Sequence, residues 1–315
     1  MTLRRVFWSS SRAASVVAKP ANFHGFVSVD KPHGMTSHDV VGRLRRVFGQ
    51  RQVGHAGTLD PDATGVLVVG LGNATRLLRF VSESHKSYIG EVVLGSTTHT
   101  LDDSGVVTGQ WDMSATTLEE LRAAAVSLTG EIDQIPPMVS AVQVDGRRLH
   151  ELARKGVEIE RKSRRVRVDR IDVVDWAAPG VVSIEVDCGS GTYIRSLADD
   201  LGRLVGGGAH LRNLRRTRVG SFGVADSIAL DDVTDASVVP PEQVIGSLQQ
   251  QIAIDGSLRQ RVVNGQRLSS DLFAGLDVDQ PVVLLNNNVL VGVFEHSADR
   301  GWRSCVVMPY DSVGS

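Results

Sequence analysis

The run Val182–Cys188 places Ile184, Val186 and Cys188 on one face and Ser183, Glu185 and Asp187 on the other. Strict alternation of this kind marks a strand with one buried face. The run passes through Gly189-Ser190-Gly191 into Ile194, Leu197, Leu201 and Leu204, which recur at helical spacing. The chain must therefore fold as sheet and helix together. Phe26, Val27 and Val29 form a short β run stopped by Pro32 and Gly34. Thr36 opens a helix with Val40, Val41, Leu44, Val47 and Phe48 on one face and Gly49 at its end. Val66–Val69 reads as a buried strand, and Tyr88–Leu94 and Val166–Val174 as further strands. Thr116-x-x-Glu119 is a capping box for a helix that turns Leu118, Leu121, Ala125 and Leu128 inward, with Gly130 past its end.

A chain of 315 residues exceeds one ordinary domain and points to two. Residues 1–23 carry Arg4, Arg5, Arg12 and Lys19 with no acid and no core pattern, and are expected to be a disordered basic tail. From about residue 240 the pattern changes to short β runs, Val282–Leu285 and Val289–Phe294, separated by Asn-Asn-Asn and Gly. That predicts a small all-β module of about 70 residues, bounded near Pro240-Pro241. No stretch approaches the roughly 18 consecutive apolar residues of a membrane span. Two cysteines, Cys188 and Cys305, make neither a disulfide framework nor a four-cysteine zinc site, which predicts a reducing, cytoplasmic setting.

The net charge of −2 conceals a segregated distribution. Residues 1–98 carry 12 Lys+Arg against 6 Asp+Glu, and residues 145–170 carry 10 against 5. Residues 99–144 carry 1 against 7, and residues 226–315 carry 5 against 12. A local basic run is either a solvated face or the footprint of a nucleic acid. Charge alone does not choose.

Val66–Val69 leads into Gly70-x-Gly72-x-x-Thr75, which imitates a dinucleotide-binding turn. The third position is Thr75 rather than a small residue, and the surrounding βαβ alternation is missing. The nine histidines show no metal-ligand spacing, and no nucleophile elbow occurs. Gly54-His55-Ala56-Gly57-Thr58-Leu59-Asp60-Pro61-Asp62-Ala63-Thr64-Gly65 stands out. It is an irregular loop ahead of a buried strand, either a carrier of reactive groups or a turn in which Asp60 bonds backbone N–H groups before Pro61. Spacing by itself favours the turn.

Gly54–Gly65, read with Asp30-Lys31-Pro32-x-Gly34-Met35-Thr36-Ser37, resembles the TruB family of tRNA pseudouridine synthases. Lys86-Ser87-Tyr88, Leu94-Gly95-x-x-Thr98, Gly130–Pro137 with Ser140-Ala141, Gly191–Leu197 and Leu214-Arg215-Arg216-Thr217-x-x-Gly220 follow in the family's order, so the likeness spans about residues 24–235. It implies an α+β catalytic domain over residues 24–240 around a mixed, mainly antiparallel sheet, with an RNA-gripping insertion at about 136–165. A PUA-like RNA-binding domain at 241–315 is implied by size, position and β content.

The implied reaction converts uridine 55 of the tRNA T-loop to pseudouridine by breaking the C1′–N1 bond and joining C5 to C1′. The base is both leaving group and returning nucleophile, so no cofactor or metal is called for. The resemblance makes Asp60 the catalytic aspartate, Arg195 its guanidinium partner and Tyr88 the tyrosine stacked on the flipped uracil. A neighbouring guanidinium is expected to lower the Asp60 pKa. Tyr193 and Leu214 are implied to line the pocket, and His55 to help open the T-loop and stack in place of the displaced base. Lys31 is implied to hold a phosphate or serve structurally. Arg147, Arg148, Arg154 and Lys155 are candidate phosphate contacts within the basic run, whereas Arg165 and Arg167 sit on a strand face. The partner implied is the tRNA T-arm, with no membrane and no protein partner, in a monomer acting in the cytoplasm. A tRNA-folding chaperone independent of catalysis is the alternative, and the joint presence of Asp60, Tyr88 and Arg195 disfavours it.

Overall fold

The computed structural model describes residues 23–140, 143–144, 147–148, 161–247 and 250–308. It opens with β1 (Gly25–Lys31), α1 (Ser37–Val47), β2 (Val53–His55), β3 (Thr64–Leu71), α2 (Leu78–Ser82), β4 (Lys86–Leu94) and the small hairpin β5 (Ser96–Thr98) and β6 (Val107–Gln110). Next come α3 (Leu118–Ser127), β7 (Gly130–Gln134), the short pair β8 (Gln143–Val144) and β9 (Arg147–Arg148), and the long hairpin β10 (Arg164–Ala178) and β11 (Val181–Cys188). Helix α4 (Ile194–Leu204), β12 (Ala209–Val219), β13 (Phe222–Gly223) and β14 (Ile228–Ala229) end this part. One ten-stranded sheet runs β14-β1-β3-β12-β4-β11-β10-β7, with β13 on β12 and β2 on β3. Only β1–β14 and β3–β12 pair in parallel within it. This is the mixed, mainly antiparallel α+β architecture expected.

Burial explains the strand patterns. Ile184, Val186 and Cys188 of β11 join Tyr88 and Val92 of β4 and Leu211 of β12 in one core, which α3 and α4 cover with Leu121, Ala125, Ile194, Leu197 and Leu201. Strand β3 is apolar without alternation because both its faces are covered. Leu67, Val69 and Leu71 pack under Val40, Val41 and Leu44 of α1, while Val66 and Val68 face the C-terminal part. Each of these fully buried aliphatic side chains contributes about 1.5–3 kcal/mol.

The C-terminal part contains α5 (Pro241–Ile245), β15 (Gln250–Ala253), α6 (Gly256–Val263), β16 (Val282–Asn286), β17 (Val289–Ser297) and β18 (Gly301–Val307), with the four strands in one sheet. Asn287 and Asn288, both at positive φ, make the two-residue β16–β17 turn. Helix α6 corrects the expectation of an all-β module. Val283, Leu290, Val293 and Val306 share a core with Phe26, Val66 and Val68, so the two sheets are packed together.

Local departures have physical causes. The capping box is made by Thr117 and Glu120, one residue later than expected, because Thr-Thr-x-Glu-Glu satisfies the pattern in two registers. Val47 and Leu204 end their helices beyond the covered face and are 41% and 53% exposed. Gly72 is no phosphate cradle: a 3₁₀ turn follows it, and a Cβ there would strike His24 and Phe23. Of the expected tail, residues 1–22 lie outside the described residues, whereas Phe23 packs on Phe48. Among the described residues no helix is long and apolar enough to cross a membrane.

Candidate active site

The loop between β2 and β3 is fixed from three directions. Ser37, at the first turn of α1, accepts from the Leu59 N–H at 2.9 Å and donates to the Leu59 carbonyl at 3.1 Å. Lys31 Nζ donates to the carbonyls of Pro32, Met35 and Pro61 at 2.9, 2.6 and 3.0 Å. Arg216 on β12, itself buried, donates to the carbonyls of Val66, Thr58 and Gly57. Gly65, at φ +100, ends the loop where β3 crosses β12 so closely that a Cβ would strike the Arg216 backbone. Only glycine fits there. The Asp60 carbonyl accepts from the Ala63 N–H at 3.2 Å, so the segment is indeed a turn. Its carboxylate, however, turns away from the backbone.

That carboxylate meets Arg195, whose Nη2 lies 3.0 Å from Asp60 Oδ2. Arg195 is the second residue of α4, and a strand end fixes its position. Gln134 bonds the Tyr193 N–H and carbonyl at 2.8 and 3.1 Å, and Ser196 donates to the Ile135 carbonyl. The guanidinium is buried and also donates to the carbonyls of Thr100 and Val139, both at 2.8 Å. Its Nη1 faces a second carboxylate, Asp102 Oδ2, at 3.3 Å. One cation thus serves two acids. The expected lowering of the Asp60 pKa is one influence among several. Burial pushes the Asp60 carboxyl up, Arg195 pulls it down, and Asp102 and Asp62 add upward pressure, leaving it above the usual carboxylate range.

Asp60 opens onto a cavity of about 250 Å³ whose lining includes Tyr88, Tyr193, Leu214, Ser140, Lys86 and Arg216. Tyr88 faces inward from β4 between Val186 of β11 and Arg216 of β12. Burial raises its hydroxyl pKa, and a hydrogen bond with Arg216 acts the other way. Burial raises the Tyr193 hydroxyl as well, opposed by a hydrogen bond with Ser140. Lys86 donates to the Ser82 and Ser84 carbonyls and is pushed down to about 8 by burial and by Arg216.

Four separated segments therefore bring Asp60, Tyr88, Tyr193, Arg195 and Leu214 to one cavity. His55 does not line it. Its half-buried ring stands at the end of β2, edge-on to His38 at 5.4 Å, with a pKa lowered mainly by burial. Lys31 is corrected in one respect: it is 0% exposed and its ammonium is spent on three carbonyls, so it shapes the loop and cannot reach a phosphate. Arg147 and Arg148 form β9, while Arg154 and Lys155 lie outside the described residues. Sequence reasoning missed Asp102, whose loop has no periodicity, and Arg216, which stood unremarked inside Leu214–Gly220. The available signal for Asp102 was an acidic pair just beyond Leu94-Gly95-x-x-Thr98.

The chain resembles solved structures across nearly its whole length. A Cbf5-Nop10-Gar1 complex aligns with TM-score 0.70 at 24% identity, over 96% of this chain and 92% of that one. An archaeal box H/ACA sRNP Nop10-Cbf5 complex aligns with TM-score 0.68 at 24% identity, over 93% and 88%. At that identity the likeness establishes the fold. Residues 45–194 match the TruB family pseudouridylate synthase N-terminal domain, and residues 195–257 match the tRNA pseudouridylate synthase B C-terminal domain. A tRNA pseudouridine synthase B of Mycobacterium sp. (strain KMS) is 52% identical over 214 residues, 67% of this chain and 72% of the relative. One from Mycobacterium ulcerans (strain Agy99) is 43% identical over 279 residues, 85% and 92%. The chain belongs to the TruB family of pseudouridylate synthases.

Proposed function

We propose that this protein isomerises uridine 55 in the T-loop of tRNA to pseudouridine, with Asp60 as the reacting carboxylate. The observation that carries the reading is Asp60, held by the buried Arg195 at the mouth of a cavity lined by Tyr88, Tyr193 and Leu214. The names of the relatives supply tRNA as the substrate class. A uridine must leave its stack to enter this cavity, at a cost of a few kcal/mol. His55, outside the cavity, takes part in opening the loop and fills the vacated stack.

Inside, Asp60 acts on the ribose or base by attack at C1′, attack at C6, or removal of a C2′ proton. Each requires the ionised carboxylate, and Arg195 opposes the burial that would neutralise it. Tyr88 stacks on the uracil, and its hydroxyl beside Arg216 relays the C5 proton after the new C5–C1′ bond forms, accepting that proton as it passes its own to water. Arg147, Arg148, Arg154 and Lys155 grip phosphates of the T-arm, and the enzyme works as a cytoplasmic monomer. The test is Asp60→Asn in single turnover on an unmodified tRNA transcript. Pseudouridine formation should vanish while tRNA affinity stays within a few-fold. Turnover near wild type would end the assignment.

A further inference from the structure

Asp102 and the Thr100 carbonyl reach Arg195 from the turn that follows β5, which meets β12 at an Asp102–Leu211 bridge. Leu101, between them, has φ +63, the left-handed region that leucine avoids. This reversal aims the Thr100 carbonyl and the Asp102 carboxylate at the same guanidinium. Such a residue persists only where its surroundings hold it. Hydrogen bonds from Thr98, Thr100 and Ser104 to Asp102 shape the turn from within. They do not fasten it to the sheet.

Three bonds to β12 do. The Leu211 N–H donates to the Leu101 carbonyl at 3.0 Å. Beside it, buried His210 spans the two feet of the loop, with Nδ1 2.9 Å from the Ser96 carbonyl and Nε2 2.9 Å from Asp103 Oδ1. One ring thus ties the start of the loop to its end. His210 lies outside the catalytic cavity and has no part in the chemistry proposed above.

We infer that His210 is a positioning residue of the reaction: through Ser96 and Asp103 it latches the 96–103 loop to β12. Thr100 and Asp102 then hold Arg195, and through it Asp60, in the reacting orientation. The catalytic consequence rests on the proposed function, whereas the latch itself can be read without substrate.

Three variants and two measurements test it. Asp103 is exposed, with 57% of its side chain accessible, so Asp103→Ala removes the latch without opening the core. His210→Ala and Asp103→Ala should each slow single-turnover pseudouridine formation roughly 10–100-fold, as expected for a displaced reacting group. The tRNA dissociation constant should stay within about threefold of wild type by the same reasoning, since no phosphate contact is touched. The double variant should be no slower than either single one. Asp103→Asn should keep most of the rate, because its amide can donate to a neutral His210 Nε2. In the free protein, hydrogen exchange of residues 97–106 should accelerate in both alanine variants.

Wild-type rate and protection in Asp103→Ala would overturn the latch, whether or not His210→Ala folds. Equal losses in Asp103→Asn and Asp103→Ala would also contradict it. Should wild type leave tRNA unmodified, the proposed function falls, and unchanged exchange in Asp103→Ala would separately overturn the latch.

Discussion

Replacing Arg195 by glutamine removes the cation between Asp60 and Asp102 while keeping a planar donor of similar reach. With charge centres roughly 4 Å apart and an effective dielectric of about 20, the Arg195–Asp60 attraction is about 4 kcal/mol. Asp60 is 39% exposed, so solvent screening is taken to remove about half, leaving about 2 kcal/mol. That is roughly a 30-fold change in the equilibrium between the ionised and protonated carboxyl. Burial already holds the Asp60 pKa above its ordinary value, so loss of the guanidinium moves it further in the same direction. The reactive form is the ionised one. Activity is lost as pH falls through the pKa, and the acid limb of the rate profile should therefore move to higher pH. Joining C5 to C1′ expels the C5 hydrogen, so tritium released from tRNA carrying [5-³H]uridine reports the chemistry. At an acidic pH where wild type is half-maximal, Arg195→Gln should be roughly 15-fold slower, recovering as pH rises. Arg195→Lys, charged but without the fork that serves four acceptors, should leave the limb near its place and lower the plateau. A wild-type acid limb with a wild-type plateau in Arg195→Gln would refute the reasoning.

Asp60→Asn should raise the melting temperature at neutral pH. The Asp60 pKa is raised on folding, so its ionised form costs stability above that pKa, and the cost disappears on acidification. Thermal unfolding of wild type and variant at pH 4 and pH 7 reads this directly, and an advantage that did not shrink at pH 4 would contradict it. Tyr88→Phe should bind tRNA normally but release tritium slowly, whereas Tyr88→Leu should lose stacking as well; normal tritium release by Tyr88→Phe would leave the hydroxyl no chemical role. Lys31→Met should cost about 2–4 kcal/mol in denaturant unfolding, because it leaves buried carbonyls without their donor; a loss under 1 kcal/mol would mean those carbonyls find other partners. Neutralising Arg147, Arg148, Arg154 and Lys155 together should flatten the log–log salt dependence of tRNA binding by roughly 0.7–0.9 per lost phosphate contact. An unchanged slope would place the grip elsewhere.

The covered faces of α1, β11 and α4 were legible because burial of a regular element imposes a period on its sequence. Strand β3 was legible as buried but not as sandwiched, since a run apolar on both faces does not say what lies on each. The site was legible only through resemblance. Asp60, Tyr88, Arg195 and Leu214 come from segments as much as 154 residues apart, and no local pattern records that they converge. Asp102 escaped because its contact depends on a left-handed Leu101, a conformation that leucine does not announce. Lys31 stood open between a phosphate and a structural role, because the three carbonyls that accept its N–H groups come together only after the chain has closed around it.

The central claim is tested most directly by mapping pseudouridine, position by position, in an unmodified tRNA transcript treated with the purified protein. The account predicts one modified position, uridine 55. It also predicts no product from a transcript carrying cytidine there and none from Asp60→Asn on the normal transcript. Pseudouridine at other positions with uridine 55 untouched, or product formed by Asp60→Asn, would contradict it.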